Sequence, residues 1–101
     1  MANRLNLPEA DLKIVKQILR QYVPNYEIWV FGSRITPNAK KFSDLDLVIK
    51  TKKPLPIDTL LELKEAFSDS VLPIKIDVLD WSRTNEPFRQ IIMKNYLPFD
   101  Q

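Results

Sequence analysis

Gly32 is the only glycine in the chain, and it follows directly on Tyr26–Phe31, a β-branched and aromatic run that reads as a strand. A chain with one glycine has one place where a positive φ, or the close approach of another group, carries no steric penalty. That place is a strand end. Ser33 comes next, and ten residues separate it from the acidic triplet Asp44-Leu45-Asp46. The strand must therefore turn at Gly32, and the following segment must return to start a second strand, Leu45–Lys50, at the same end of a sheet.

The flanking sequence supplies the other elements. Asn6 reads as an N-cap with Glu9 three residues on and Pro8 in the first turn, and Leu12, Val15, Ile18, Leu19 and Tyr22 recur at helical spacing until Pro24. After "KKPLP", Thr59 and Glu62 suggest a capping box for a helix running to about Ser68. "PIKIDVLD" alternates Ile74, Ile76 and Val78 against Lys75, Asp77 and Leu79, the period of a third strand. Asn85, before Glu86-Pro87, starts a last helix with Phe88, Ile91, Ile92 and Tyr96 on its apolar side, and "NYLPFDQ" reads as a tail. The order α-β-β-α-β-α specifies an α/β (α+β) domain with a short mixed sheet and helices mainly on one face. At 101 residues, the whole of 1–101 reads as a single domain.

Composition removes several chemistries. There is no cysteine and no histidine, so thiolate or imidazole zinc sites, cysteine nucleophiles and Ser-His-Asp triads are out of reach. A single glycine cannot build a dinucleotide fingerprint or a Walker loop. Any general base is a carboxylate, a lysine or a tyrosine, and any metal is held by oxygen, which favours magnesium, manganese or calcium. A net charge of +2 is too small for a large nucleic-acid surface, so no direct nucleic-acid binding is expected. Apolar runs are too short for a membrane span, and the lack of cysteine makes the cytoplasm the expected location.

Within a strand, residues two apart share a face, so Asp44 and Asp46 are expected to project together while Leu45 and Leu47 face the core. Two carboxylates about 7 Å apart repel by about 2 kcal/mol at an effective dielectric near 20, a strain that a cation relieves. Asp77 lies opposite the Ile74/Ile76/Val78 face of its strand. If that strand neighbours Leu45–Lys50, three carboxylates meet on one face, a set suited to two-metal displacement at phosphorus with Asp77 placed to accept a proton. Plainer readings stand beside these: an Asp-x-Asp on a solvated outer face, a simple Lys75–Asp77 ion pair, and Asp80 as a loop cap or a competing ligand. Gly32 and Ser33 together suit a phosphate-cradling turn, although strand ends are ordinarily turns. Arg34, Lys40 and Lys41 could draw in a polyphosphate, but at least two of them read as solvated loop charges.

"GSRITPNAKKFSDLDL" resembles the Gly-Ser-x10-Asp-x-Asp signature of the DNA polymerase β-like nucleotidyltransferase superfamily, and "KIDVLD" resembles the strand carrying its third catalytic aspartate. Length and element order are further similar to the minimal nucleotidyltransferases encoded beside HEPN-domain partners. The resemblance covers nearly the whole chain. One departure is "TPN", where many relatives carry another glycine. The resemblance implies that Gly32 and Ser33 contact a nucleoside triphosphate and that Asp44, Asp46 and Asp77 carry catalysis and Mg²⁺, with two ions expected. It further implies AMP transfer from ATP to a tyrosine of a HEPN toxin, with this chain as antitoxin. Occlusion of the toxin without catalysis, and transfer to a small molecule, stay open as alternatives. So small a domain leaves little chain to enclose a base or an acceptor. Of Trp29, Phe31, Trp81, Phe88, Tyr96 and Phe99, most are assigned to the core and some to an interface, with "NYLPF" as the expected contact to another chain.

Overall fold

A computed structural model describes residues 5, 7–35 and 43–99. Its elements run α1 (Glu9–Tyr22), β1 (Glu27–Phe31), β2 (Leu45–Lys50), α2 (Ile57–Ser68), β3 (Ile76–Asp80), α3 (Glu86–Lys94) and β4 (Tyr96–Phe99). The four strands form one sheet in the order β3-β2-β1-β4. β1 is antiparallel to both β2 and β4, whereas β2 and β3 are parallel, as they must be when α2 is the crossover between them.

Strand alternation sets the two faces. Ile28 and Val30 of β1, Leu45, Leu47 and Ile49 of β2 and Val78 of β3 join Val15 and Leu19 of α1 and Leu63 of α2 in the main core. The other face carries Trp29, Phe31, Asp46, Val48, Lys50 and Asp77. α3 covers part of it: the Phe88 ring meets Phe31 edge-on at 6.0 Å, and Ile92 is fully buried. Two of the three helices thus pack on one face.

At the Lys50 end of the second face the aromatics form a cluster. Trp29 stacks on Tyr96 at 3.9 Å and meets Trp81 edge-on at 5.6 Å, while the Lys50 ammonium lies 3.5 Å from the Trp81 centroid and 4.3 Å from that of Trp29. Burial there pushes the Lys50 pKa down, with Glu27 opposing the shift and Arg89 adding to it.

Several local expectations are corrected. Asn6 lies outside the described residues; Pro8 is the N-cap of α1 rather than part of its first turn, and no side chain caps that helix. α2 begins at Ile57 behind Pro56, two residues ahead of Thr59, so the Thr59/Glu62 box does not form. Proline suits both positions because it fixes φ before a turn whose N–H groups are unpaired anyway. Ile91 is 61% exposed and Tyr96 lies beyond α3, so the buried side of that helix is Ile92 with half-buried Phe88. The supposed tail "YLPF" is β4: it pairs with β1 from Tyr96↔Phe31 to Phe99↔Ile28 and buries Phe99. Asn85 caps α3 as expected, accepting from the Phe88 N–H at 3.0 Å.

Asp80 is the structural acid of the domain. Only 3% exposed, it accepts from Leu55 N at 2.7 Å, Ser82 N at 3.1 Å and the Thr51 hydroxyl, and it faces Arg83 Nε at 3.3 Å. It thereby ties the β2–α2 linker to the end of β3. Asp80→Asn should lower the free energy of unfolding by about 3 kcal/mol in urea titrations, because amide chemistry leaves buried donors unmatched. A change within a few tenths of wild type would contradict the role.

Candidate functional site

Gly32 turns the chain at the end of β1 with φ +83°, and Ser33–Ile35 follow as one turn of 3-10 helix. The reason for the glycine is twofold. Its φ is in the left-handed region, and a Cβ at this position would overlap Oδ2 of Asp46. Phe31 and Asp46 are register partners in the antiparallel β1–β2 pair, which is why the turn after Phe31 lies against that carboxylate.

Asp46 in turn pairs with Asp77 across the parallel β2–β3 ladder, so the two carboxylates stand side by side on the face away from α1 and α2. Burial, then the charges of Asp77 and Asp44, push the Asp46 pKa from 3.8 up to about 6, and Lys75 pulls weakly the other way. The expected Lys75–Asp77 ion pair is present at 3.5 Å, with both side chains well exposed. It leaves Asp77 on the shared face.

Asp44 departs from the expectation. It lies one residue ahead of β2 and is exposed, so strand alternation does not aim it; its charge reaches Asp46 from outside the ladder. Among the described residues, no three acidic side chains are gathered as a ready-made cation cage. The site is therefore a close pair, Asp46 and Asp77, with Asp44 beside it. The strained Asp46 carboxylate has the chemistry of a hard-cation ligand: oxygen donors, surplus negative charge and partial burial.

A cleft of about 810 Å³ runs past the pair, lined on this side by Phe31, Phe88 and Leu79. The Phe31–Phe88 wall was not distinguished in the sequence from ordinary core aromatics. Arg34, one of the three connection cations, is buried, 4% exposed, and its Nε donates to the Ser43 carbonyl at 3.0 Å, closing the base of the connection leading to Asp44. Lys40 and Lys41 lie outside the described residues.

Two measurements test this geometry. Gly32→Ala should cost about 1–2 kcal/mol for the backbone alone and more for displacing the carboxylate, so the loss in thermal melts should be smaller in an Asp46→Ala background. Equal losses in both backgrounds would deny the contact. For Asp46 the raised pKa means that the folded state holds its proton longer than the unfolded chain. The contribution of this one group to stability is therefore greatest below pH 3.8 and is lost as pH rises through about 6. Above pH 6, without divalent ions, Asp46→Asn should remove a strain on the order of 1 kcal/mol after solvent screening, raising Tm by roughly 4–8 °C. The gain should vanish near pH 3.5. Adding Mg²⁺ should raise the Tm of the wild type but not that of the variant.

Residues 13–97 match the family described as "Polymerase beta, Nucleotidyltransferase". The chain is 51% identical over 94 residues to "Probable protein adenylyltransferase MntA" of Haemophilus influenzae, covering 93% of this chain and 82% of the relative. It is 32% identical over 73 residues to MJ1217 of Methanocaldococcus jannaschii, whose name carries the same activity, covering 72% and 74%. Among solved structures, a toxin-antitoxin crystallised with AMP-PNP superposes with a TM-score of 0.73 at 20% identity, over 89% of this chain and 73% of that one. A mutant of the toxin-antitoxin MntA-HpeT gives 0.72 at 18%, over 88% and 72%. These last two likenesses establish the fold. The chain belongs to the polymerase β nucleotidyltransferase family, as an enzyme homologous to the MntA protein adenylyltransferases.

Proposed function

We propose that this chain is a Mg²⁺-dependent protein adenylyltransferase that moves AMP from ATP to a tyrosine hydroxyl of a HEPN-domain toxin, and so acts as its antitoxin. The observation that carries the reading is the Asp46–Asp77 pair set against the turn at Gly32. In this reading Gly32 and Ser33 contact the triphosphate, and Asp44, Asp46 and Asp77 hold two Mg²⁺ ions. The chemistry such ions would supply there is neutralisation of phosphate charge. Asp77 takes the proton of the attacking hydroxyl as its oxygen bonds to the α-phosphorus. The bond from that phosphorus to the α–β bridging oxygen breaks, and pyrophosphate leaves in line. Similarity to MntA supports AMP as the transferred group.

A second reading, neutralisation by occlusion without transfer, is favoured by the exposed position of Asp44 outside the strand. Labelled ATP, Mg²⁺ and the cognate HEPN partner separate the two. Wild type should label a partner tyrosine, and Asp77→Asn should slow labelling by about 10²–10⁴-fold, the range of a lost general base. The double variant Asp44→Asn, Asp46→Asn should lose both labelling and protection of cells from the toxin. Protection that survives in the double variant would decide for occlusion.

A further inference from the structure

The cleft does not end at the acid pair. It continues around the outer edge of β3, where Phe67, Leu72 and Ile74 form an apolar floor and Lys64, Ser68 and Lys75 stand at the rim. β3 is the last strand of the sheet on that side, so Gly32, Asp46 and Asp77 lie in a row from β1 outward to this edge. In-line displacement requires the nucleophile to approach opposite the leaving group. With the triphosphate at the Gly32 turn, the acceptor must come from beyond Asp77, which is where the cleft opens.

We infer that this β3-edge arm is the acceptor-docking groove, and that it takes a polypeptide segment pairing apolar side chains with acidic ones around the reacting hydroxyl. The proposal rests on the transfer reading above. Phe67, Leu72 and Ile74 offer apolar surface continuous with the acid pair, so a segment seated there holds its hydroxyl beside Asp77. Lys64 and Lys75 are both exposed and set positive charge along the rim; Lys75 is partly answered by Asp77, and Lys64 is in no described ion pair. Such a rim attracts carboxylates on an incoming segment.

The test uses two short acetylated peptides, each with one tyrosine between two leucines, one also bearing two glutamates and the other two lysines. The glutamate peptide should shift the backbone amides of residues 64–79 in NMR titrations and become labelled from ATP. The lysine peptide should bind about tenfold more weakly, a difference of 1.4 kcal/mol, which narrows in 1 M salt. Lys64→Glu, an exposed change on α2, should reverse the preference. Labelling that ignores both peptide charge and Lys64→Glu would overturn the groove while leaving transfer intact. Docking at residues 64–79 with the expected charge preference but without labelling would leave a peptide-binding groove and overturn its role as the acceptor's dock. Neither docking nor labelling would overturn both.

Discussion

The register of the parallel β2–β3 pair sets Asp46 directly beside Asp77, and the rest of the site depends on that juxtaposition. Two carboxylates at paired positions on one face are a liability in an apo protein. Burial and mutual repulsion push Asp46 up to a pKa of about 6. The turn at Gly32 is shaped around the same group, because any side chain there would occupy the space of the Asp46 carboxylate. A single register thus accounts for where the sole glycine stands and for why one acid is strained.

Asp80 is the contrast that gives this strain its meaning. It is more deeply buried than Asp46, yet two backbone N–H groups, a hydroxyl and Arg83 surround it. Its charge is answered within the fold. Asp46 has like charges beside it, and among the described residues Lys75 is the one charge that pulls its pKa down. Where a fold satisfies one acid and leaves another in conflict at the mouth of a cleft, the second is the candidate for chemistry.

The elements that carry strong periodicity were legible in the sequence. β2 begins and ends where its alternating run does, and α2 ends at Ser68 as the apolar spacing requires. Asp77 was placed on the correct face by period-two reasoning alone. Less was legible where tertiary contact overrides local pattern. "YLPF" contains a proline and too few residues to announce a strand, and only the exposed edge of β1 makes it one. Asp44 stands one residue ahead of the strand, where period-two alternation no longer fixes its direction. Arg34 looks like any loop cation until the fold returns Ser43 to it. Such partners are set by three-dimensional closure, and no spacing rule encodes them.

The same closure decides from which side a second substrate can enter. α1 and α2 cover one face of the sheet, and on the other face α3 and the Trp29–Trp81–Tyr96–Lys50 cluster fill the ground behind the acids. The Phe31–Phe88 contact walls the cleft where α3 begins. Toward β1 the approach is narrowed by the turn pressed against Asp46. Among the described residues the cleft opens outward over β3, along a floor that is apolar and a rim that is positive. A domain this thin cannot enclose an acceptor, but by filling the other approaches it limits where one can stand, which is the larger part of aligning an in-line displacement.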